Sequence, residues 1–97
     1  MNRLNLQGCL EGKETLRYTL GGLPILRLTL MYEGSVREAQ AQRKLKFSAS
    51  CVAIGDIAEK LDKEELGEIL RVTGFLAPSS PRSTKLLVHI TEYEKGV

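Results

Sequence analysis

Lys44 and Lys46 stand two positions apart in a stretch, RKLKFSASCVA over residues 43–53, in which polar and apolar side chains alternate. Period 2 is the spacing of a half-buried strand. Lys44, Lys46, Ser48 and Ser50 therefore leave one face, and Leu45, Phe47, Ala49, Cys51 and Ala53 leave the other. A rise of roughly 3.3 Å per residue sets the two lysine stems roughly 7 Å apart, on the scale of successive charges along an extended polyanion. The chemistry on offer is neutralisation of an anion, because an ammonium is a strongly hydrated point charge with three donors.

Other chemistry is sparse. The single histidine, His89, lies between Val88 and Ile90, and no carboxylate pairs with it at a fixed spacing, so neither acid–base catalysis nor a metal site is expected. Ser79, Ser80 and Ser83 fall in PSSPRST without a nucleophile-elbow pattern and read as loop residues. Gly21-Gly22 lacks the lysine and spacing of a phosphate loop. Glu64-Glu65 reads as the solvated end of a helix. Cys9 and Cys51 sit singly inside strand patterns and read as buried small hydrophobes. The expectation is a non-enzymatic protein without metal or cofactor. A net charge of +2 is too small to argue for a polyanionic partner. Its distribution says more: residues 37–46 hold four basic side chains against one acidic, and residues 56–68 hold six acidic against two basic. A polyanion would lie on the basic strand, away from the acidic helix. The alternative is that both are solvated faces.

The elements that must position these residues follow from pattern. Ninety-seven residues, 42% hydrophobic and 27% charged, make a single domain over 1–97 with one core. No apolar run approaches the roughly 20 residues of a membrane helix. The start MNRLNLQG carries no signal-peptide h-region, and with the two single cysteines this points to the cytoplasm. Arg3 to Leu10 alternates with Leu4, Leu6 and Leu10 on one side, and Glu11 to Leu20 continues more weakly, with Gly8 and Gly12 placed for a bend. Gly21-Gly22-Leu23-Pro24 is a turn. Ile25 to Tyr32 is a strand facing inward through Leu26, Leu28, Leu30 and Tyr32. Glu33 to Gln42 reads as a hairpin loop leading to the Arg43 strand. Gly55 breaks that strand, and Asp56 with Glu59 suggests a capping box for a short helix with Ile57, Ala58 and Leu61 inward and Gly67 at its end. Glu68 to Leu76 is a strand with Leu70, Val72 and Leu76 on one side and a bend or bulge at Gly74. Pro78 to Thr84 is a loop, Lys85 to Glu94 the last strand with Leu86, Val88 and Ile90 inward, and Gly96-Val97 a tail.

Five strands of antiparallel character, with one helix between the third and fourth, describe an all-β OB-fold barrel. Leu28, Phe47, Val72 and Val88 should share its interior. Ligands of this fold cross strands 2 and 3 and the loops joining strands 1 to 2 and 4 to 5. That face would carry Arg27, Thr29, Lys44, Lys46 and Ser48, and the 4–5 loop would add Arg82 and Lys85, so the basic residues gather where the fold takes oligonucleotides.

NRLNLQGCL at 2–10, GGLPILRLTL at 21–30, and IGDIAEKL with LGEILRVTGFL over 54–76 resemble the bacterial single-stranded DNA-binding proteins, most of all their small primosomal relatives. The most specific pieces are Asn2-Arg3-Leu4, Gly22-Leu23-Pro24 and Val72-Thr73-Gly74-Phe75. The resemblance implies a homodimer that binds single-stranded DNA, contacts the primosomal helicase and helps restart stalled replication forks. Members of that family pair through the first strand, which makes Arg3 to Leu10 the expected dimer edge. The sequence ends at Val97 without a long acidic tail, as expected of the short relatives. It departs from the family where Lys46 stands near a strand-3 aromatic position, and where the lysine-rich 4–5 loop is PSSPRSTK with only Arg82 and Lys85. With Phe47 on the apolar phase and no other platform apparent, binding should be weak and mainly electrostatic. The other reading is a protein-interaction adaptor with little DNA affinity of its own. An RNA-binding barrel of the cold-shock type would rely on surface aromatics that the pattern does not offer.

Overall fold

Alternating leucines build the barrel wall. In the computed structural model, which describes residues 1–96, the strands are β1 Leu4–Lys13, β2 Arg17–Tyr18, β3 Pro24–Glu38, β4 Ala41–Ile54, β5 Ile69–Pro78 and β6 Leu86–Lys95, with α1 Asp56–Asp62 between β4 and β5. Neighbours run β1-β5-β6-β4-β3-β2, and a further β1–β3 pairing closes the five long strands into a barrel. All pairings are antiparallel except β4–β6, a short parallel seam of Cys51 with Val88 and Val52 with His89. The barrel is therefore mixed, where the sequence suggested antiparallel character throughout. β1 changes partner at Cys9, pairing with β5 before it and β3 after it, with an irregularity between Leu10 and Gly12. This is the bend expected near Gly8 and Gly12. The weak strand expected over Glu11 to Leu20 contracts to the end of β1 and the two residues of β2.

The core is one cluster. Leu26, Leu28 and Leu30 of β3, Ala49, Cys51 and Ala53 of β4, and Leu70 and Val72 of β5 meet inside it. Leu10, Val88 and Ile90 join them, and Ala58 and Leu61 of α1 plug one end. Of the four residues expected to share the interior, Leu28, Val72 and Val88 do. Phe47 does not: it is 42% exposed. Its phase is inward, but the barrel ends near Ala49 and Phe47 lies beyond it. Leu86 and Leu76 are likewise exposed rather than inward, because they sit where β5 and β6 leave the barrel; Leu87 is buried instead. Cys9 is half-buried and Cys51 buried, both as free thiols.

The Glu33–Gln42 loop does not exist as such. β3 and β4 pair without interruption to Glu38 opposite Ala41, leaving a two-residue turn. Ala39 and Gln40 both take positive φ, 50° and 65°, the backbone of a tight hairpin turn. The stretch looked like a loop because its side chains are polar on both faces and the ladder alone carries it. The helix start also differs. Gly55 is the N-cap, with φ 96° and no side-chain cap bond, and Asp56 is the first helical residue. The chain needs that positive φ to turn out of β4, and glycine adopts it without steric cost. Asp56 and Glu59 still place negative charge at the positive end of the helix. Gly67 lies beyond the helix C-cap at Lys63 and leads into β5. Gly96, expected as tail, still donates its N–H to the Ile69 carbonyl at 2.7 Å; Val97 lies outside the described residues. No helix among the described residues is long and apolar enough to cross a membrane.

Candidate nucleic-acid interface

Residues opposite one another in an antiparallel ladder share a face. On the outer face of β3 and β4, Arg27 lies opposite Val52, Thr29 opposite Ser50, Met31 opposite Ser48, Glu33 opposite Lys46 and Ser35 opposite Lys44. This single face divides into two parts. Arg27, Thr29 and Ser50 line an open groove of about 710 Å³ together with Lys13, Ser79 and Lys85. Lys44 and Lys46 line a shallower one of about 390 Å³ on the hairpin arm, with Glu33 and Ser35. On β3 the two parts are lined by residues 27–29 and 33–35, six positions apart between centres, or roughly 20 Å. Ser48 lies between them, its hydroxyl donating to Glu11 Oε1 at 3.1 Å. Arg82 is exposed in the turn between β5 and β6, where the Ser83 N–H donates to the Ser80 carbonyl at 3.0 Å. It lines neither groove. The structure thus brings Arg27 and Lys85 together, sets Lys44 and Lys46 together elsewhere, and leaves Arg82 apart.

Ion pairing sorts the cations. Arg17 pairs with Glu14 at 4.0 Å, Arg43 with Glu38 at 2.7 Å, Arg71 with Glu94 at 2.8 Å, and Lys95 with Glu64 at 3.3 Å and Glu68 at 3.4 Å. Lys13 Nζ donates to the carbonyls of Asp62 at 2.7 Å and Glu64 at 2.6 Å, closing the end of α1. Among the described residues no carboxylate comes within ion-pair distance of Arg27, Lys44, Lys46, Arg82 or Lys85. Lys13, which serves the fold, lines the same groove as Arg27 and Lys85, whose own charges are unpaired. The face is not uniformly basic, since Glu33 stands opposite Lys46 and Glu11 reaches Ser48.

Two surface aromatic pairs escaped the sequence pattern. Tyr32 and Phe47 meet on the underside of the arm, ring centroids 5.1 Å apart and tilted by 32°. Phe75 and His89 stack on the outside of β5 and β6, centroids 4.8 Å apart and planes 13° from parallel. Strand phase held the clue to the second pair. Gly74 and Ile90 face inward, so Phe75 and His89, each one position along, face out.

The model of a family described as "another single-strand binding protein family" matches residues 2–92. Replication restart protein PriB of Bordetella pertussis is 38% identical over 92 residues, covering 95% of this chain and 86% of that protein. The structure of PriB from Ralstonia solanacearum superposes with a TM-score of 0.88 at 37% identity, covering 98% of this chain and 97% of that one. The single-stranded DNA binding protein of Thermus aquaticus superposes at 0.80 with 25% identity, covering all of this chain and 50% of that longer one.

Proposed function

The chain belongs to the single-strand binding protein family, in its replication restart PriB branch, and from this premise we propose that it binds single-stranded DNA during replication restart in the cytoplasm. The observation that carries the reading is the set of unpaired cations. Arg27, Lys44, Lys46, Arg82 and Lys85 have no carboxylate partner among the described residues, as is also true of Arg3, Arg37, Lys60 and Lys63, and Arg27 with Lys85 and Lys44 with Lys46 each share one groove. Unpaired surface cations keep their charge for phosphates, and each phosphate contact releases counterions. Glu33 opposite Lys46 and the wide gap between the two basic clusters support weak, mainly electrostatic binding. The working form is a homodimer. Among the described residues, the edge of Leu4 to Gln7 turned away from β5 pairs with no strand, because β1 meets β3 only from Cys9 onward. Such an edge pairs readily with another copy. The primosomal helicase is the expected protein partner. Tyr18, Leu20, Leu23 and Ile54, exposed around the turn before β3, offer it apolar area.

The test is an anisotropy titration with single-stranded, double-stranded and forked DNA at two salt concentrations. Wild type should prefer single strands and weaken steeply with salt. Lys44→Glu with Lys46→Glu should weaken all sequences alike and flatten the log–log salt slope by about 0.7 per lost phosphate contact, roughly 1.4 for the pair. Unchanged affinity and slope in the folded double mutant would remove the arm from the site and favour an adaptor that binds protein only.

A further inference from the structure

We infer that a row of side chains across the outside of the barrel, Arg3, Phe75, His89, Val52 and Arg27, is a second single-strand contact, in which Phe75 stacks a nucleobase and the two arginines take flanking phosphates. Register places the five side by side. Arg27 lies opposite Val52, Val52 pairs with His89, and His89 lies opposite Phe75. Leu4 pairs with Gly74, so the next step brings Arg3 level with Phe75. The step after that is held by a clamp: the Asn2 side chain donates to the Leu76 carbonyl at 2.7 Å and accepts its N–H at 3.0 Å. The row follows the strand order β1-β5-β6-β4-β3. With strands roughly 4.8 Å apart it spans roughly 19 Å.

The chemistry along the row is that of a single-strand track, cations interleaved with a flat apolar platform. Outward positions of β5 before this point are Ile69, Arg71 and Thr73, so an outward Phe75, 37% exposed, follows two polar positions. Its ring is not left to rotate freely, because His89 stacks on it nearly parallel. A pre-ordered platform loses little entropy when a third ring joins the stack. Val52, only 4% exposed although it faces out, makes a firm floor beside His89. Neither Arg3 nor Arg27 has a carboxylate partner among the described residues. Arg27 also lines the groove with Lys85, so one strand of nucleic acid can run from that groove onto the row.

This inference rests on the reading of the chain as a single-strand binder, and its test separates the two. Wild type is irradiated with a single-stranded oligonucleotide carrying 5-iodouracil, and crosslinked peptides are mapped by mass spectrometry. Anisotropy is measured in parallel on Phe75→Leu, Arg3→Ala and Arg27→Ala. The expected result is crosslinking at Phe75 or His89 and a loss of at least about 5-fold in affinity for Phe75→Leu, the low end of one stacked base. Phe75→Leu should leave the salt slope unchanged, whereas each arginine variant should reduce it by about 0.7. If wild type binds single strands but crosslinks only elsewhere, and folded Phe75→Leu binds equally well, this inference falls and the proposed function stands. If Phe75→Leu instead shifts only self-association in sedimentation, the face is a protein contact and the inference also falls. If Phe75→Leu does not fold, the wild-type crosslink map decides alone. Absence of single-strand binding by wild type at low salt overturns both.

Discussion

Cys51 is among the most enclosed side chains, 1% exposed, with its thiol donating to the Ala49 carbonyl at 3.5 Å. Burial pushes the thiol up from its ordinary 9.0 to about 12. Tyr93 moves the same way, from 10.0 to about 12, through partial burial, its hydrogen bond to Glu64 and the nearby carboxylates of Glu64 and Glu68. Both groups are held protonated by the fold, so the stability they contribute is complete below their unfolded values. It is lost as pH rises between about 9 and 12. Thermal melting should fall across that window, and Cys51→Ala should flatten its lower part. Melting also separates two apolar residues that strand phase alone cannot tell apart. Leu30→Ala should cost about 2–5 kcal/mol because Leu30 is 0% exposed. Phe47→Ala should cost about 1 kcal/mol or less, since Phe47 loses mainly its tilted contact with Tyr32. Alternation correctly marked Leu28, Cys51, Val72 and Val88 as inward. It could not mark where the barrel stops, and Phe47, Leu76 and Leu86 are inward residues of strands that outrun the core.

At the scale of elements, the arm formed by β3 and β4 hangs on a turn with two non-glycine residues at positive φ. Each left-handed side-chain-bearing residue costs about 1–2 kcal/mol relative to its ordinary backbone. Gln40→Gly should therefore stabilise the protein by up to about 1 kcal/mol, read as a higher denaturant midpoint with an unchanged m-value. The opposite experiment sits in β5. A Cβ at Gly74 would collide with the His89 carbonyl oxygen in the neighbouring strand. Gly74→Ala should cost several kcal/mol or force the β5–β6 bulge to move, which amide chemical shifts of Thr73 and Thr91 would reveal. Gly74 marked a bend or bulge, and the ladder there is irregular between Thr73 and Gly74. The turn was not legible, because Ala39-Gln40 carries none of the Asn-Gly or Asp-Gly chemistry that announces such hairpins. The helix was legible in its buried stripe but not in its caps, since Gly55 leaves the first turn without the side-chain bond that Asp56 and Glu59 suggested.

For the whole molecule, element order was enough to reach the barrel, and the hairpin arm accounts for what it missed in shape. The extents are 51 × 34 × 21 Å, longer than a bare barrel of this size. The candidate site was readable as a set of residue types but not as their placement, because the polar phase of β3 and β4 continues from the barrel onto the arm and spreads Arg27, Lys44 and Lys46 along it. Assembly belongs to this scale as well: sedimentation equilibrium at micromolar concentration should give twice the chain mass, and a monomer alone would defeat the dimer. The parallel seam between β4 and β6 is two residue pairs long, against four in the interrupted β1–β3 pairing and six or more in the other ladders between the five long strands. Its partners are distant in sequence, so its closure entropy is high and little local structure brings it together. It is where the barrel should breathe, and the amide of Val52 should exchange with deuterium sooner than those of Leu28 or Leu70, although all three are buried. The row of Arg27, Val52, His89 and Phe75 crosses that same seam. Anything bound along the row acts as a strap over the weakest joint, so occupancy would be recorded as slowed deuterium uptake at Cys51 and Val88, seam residues whose side chains face the core.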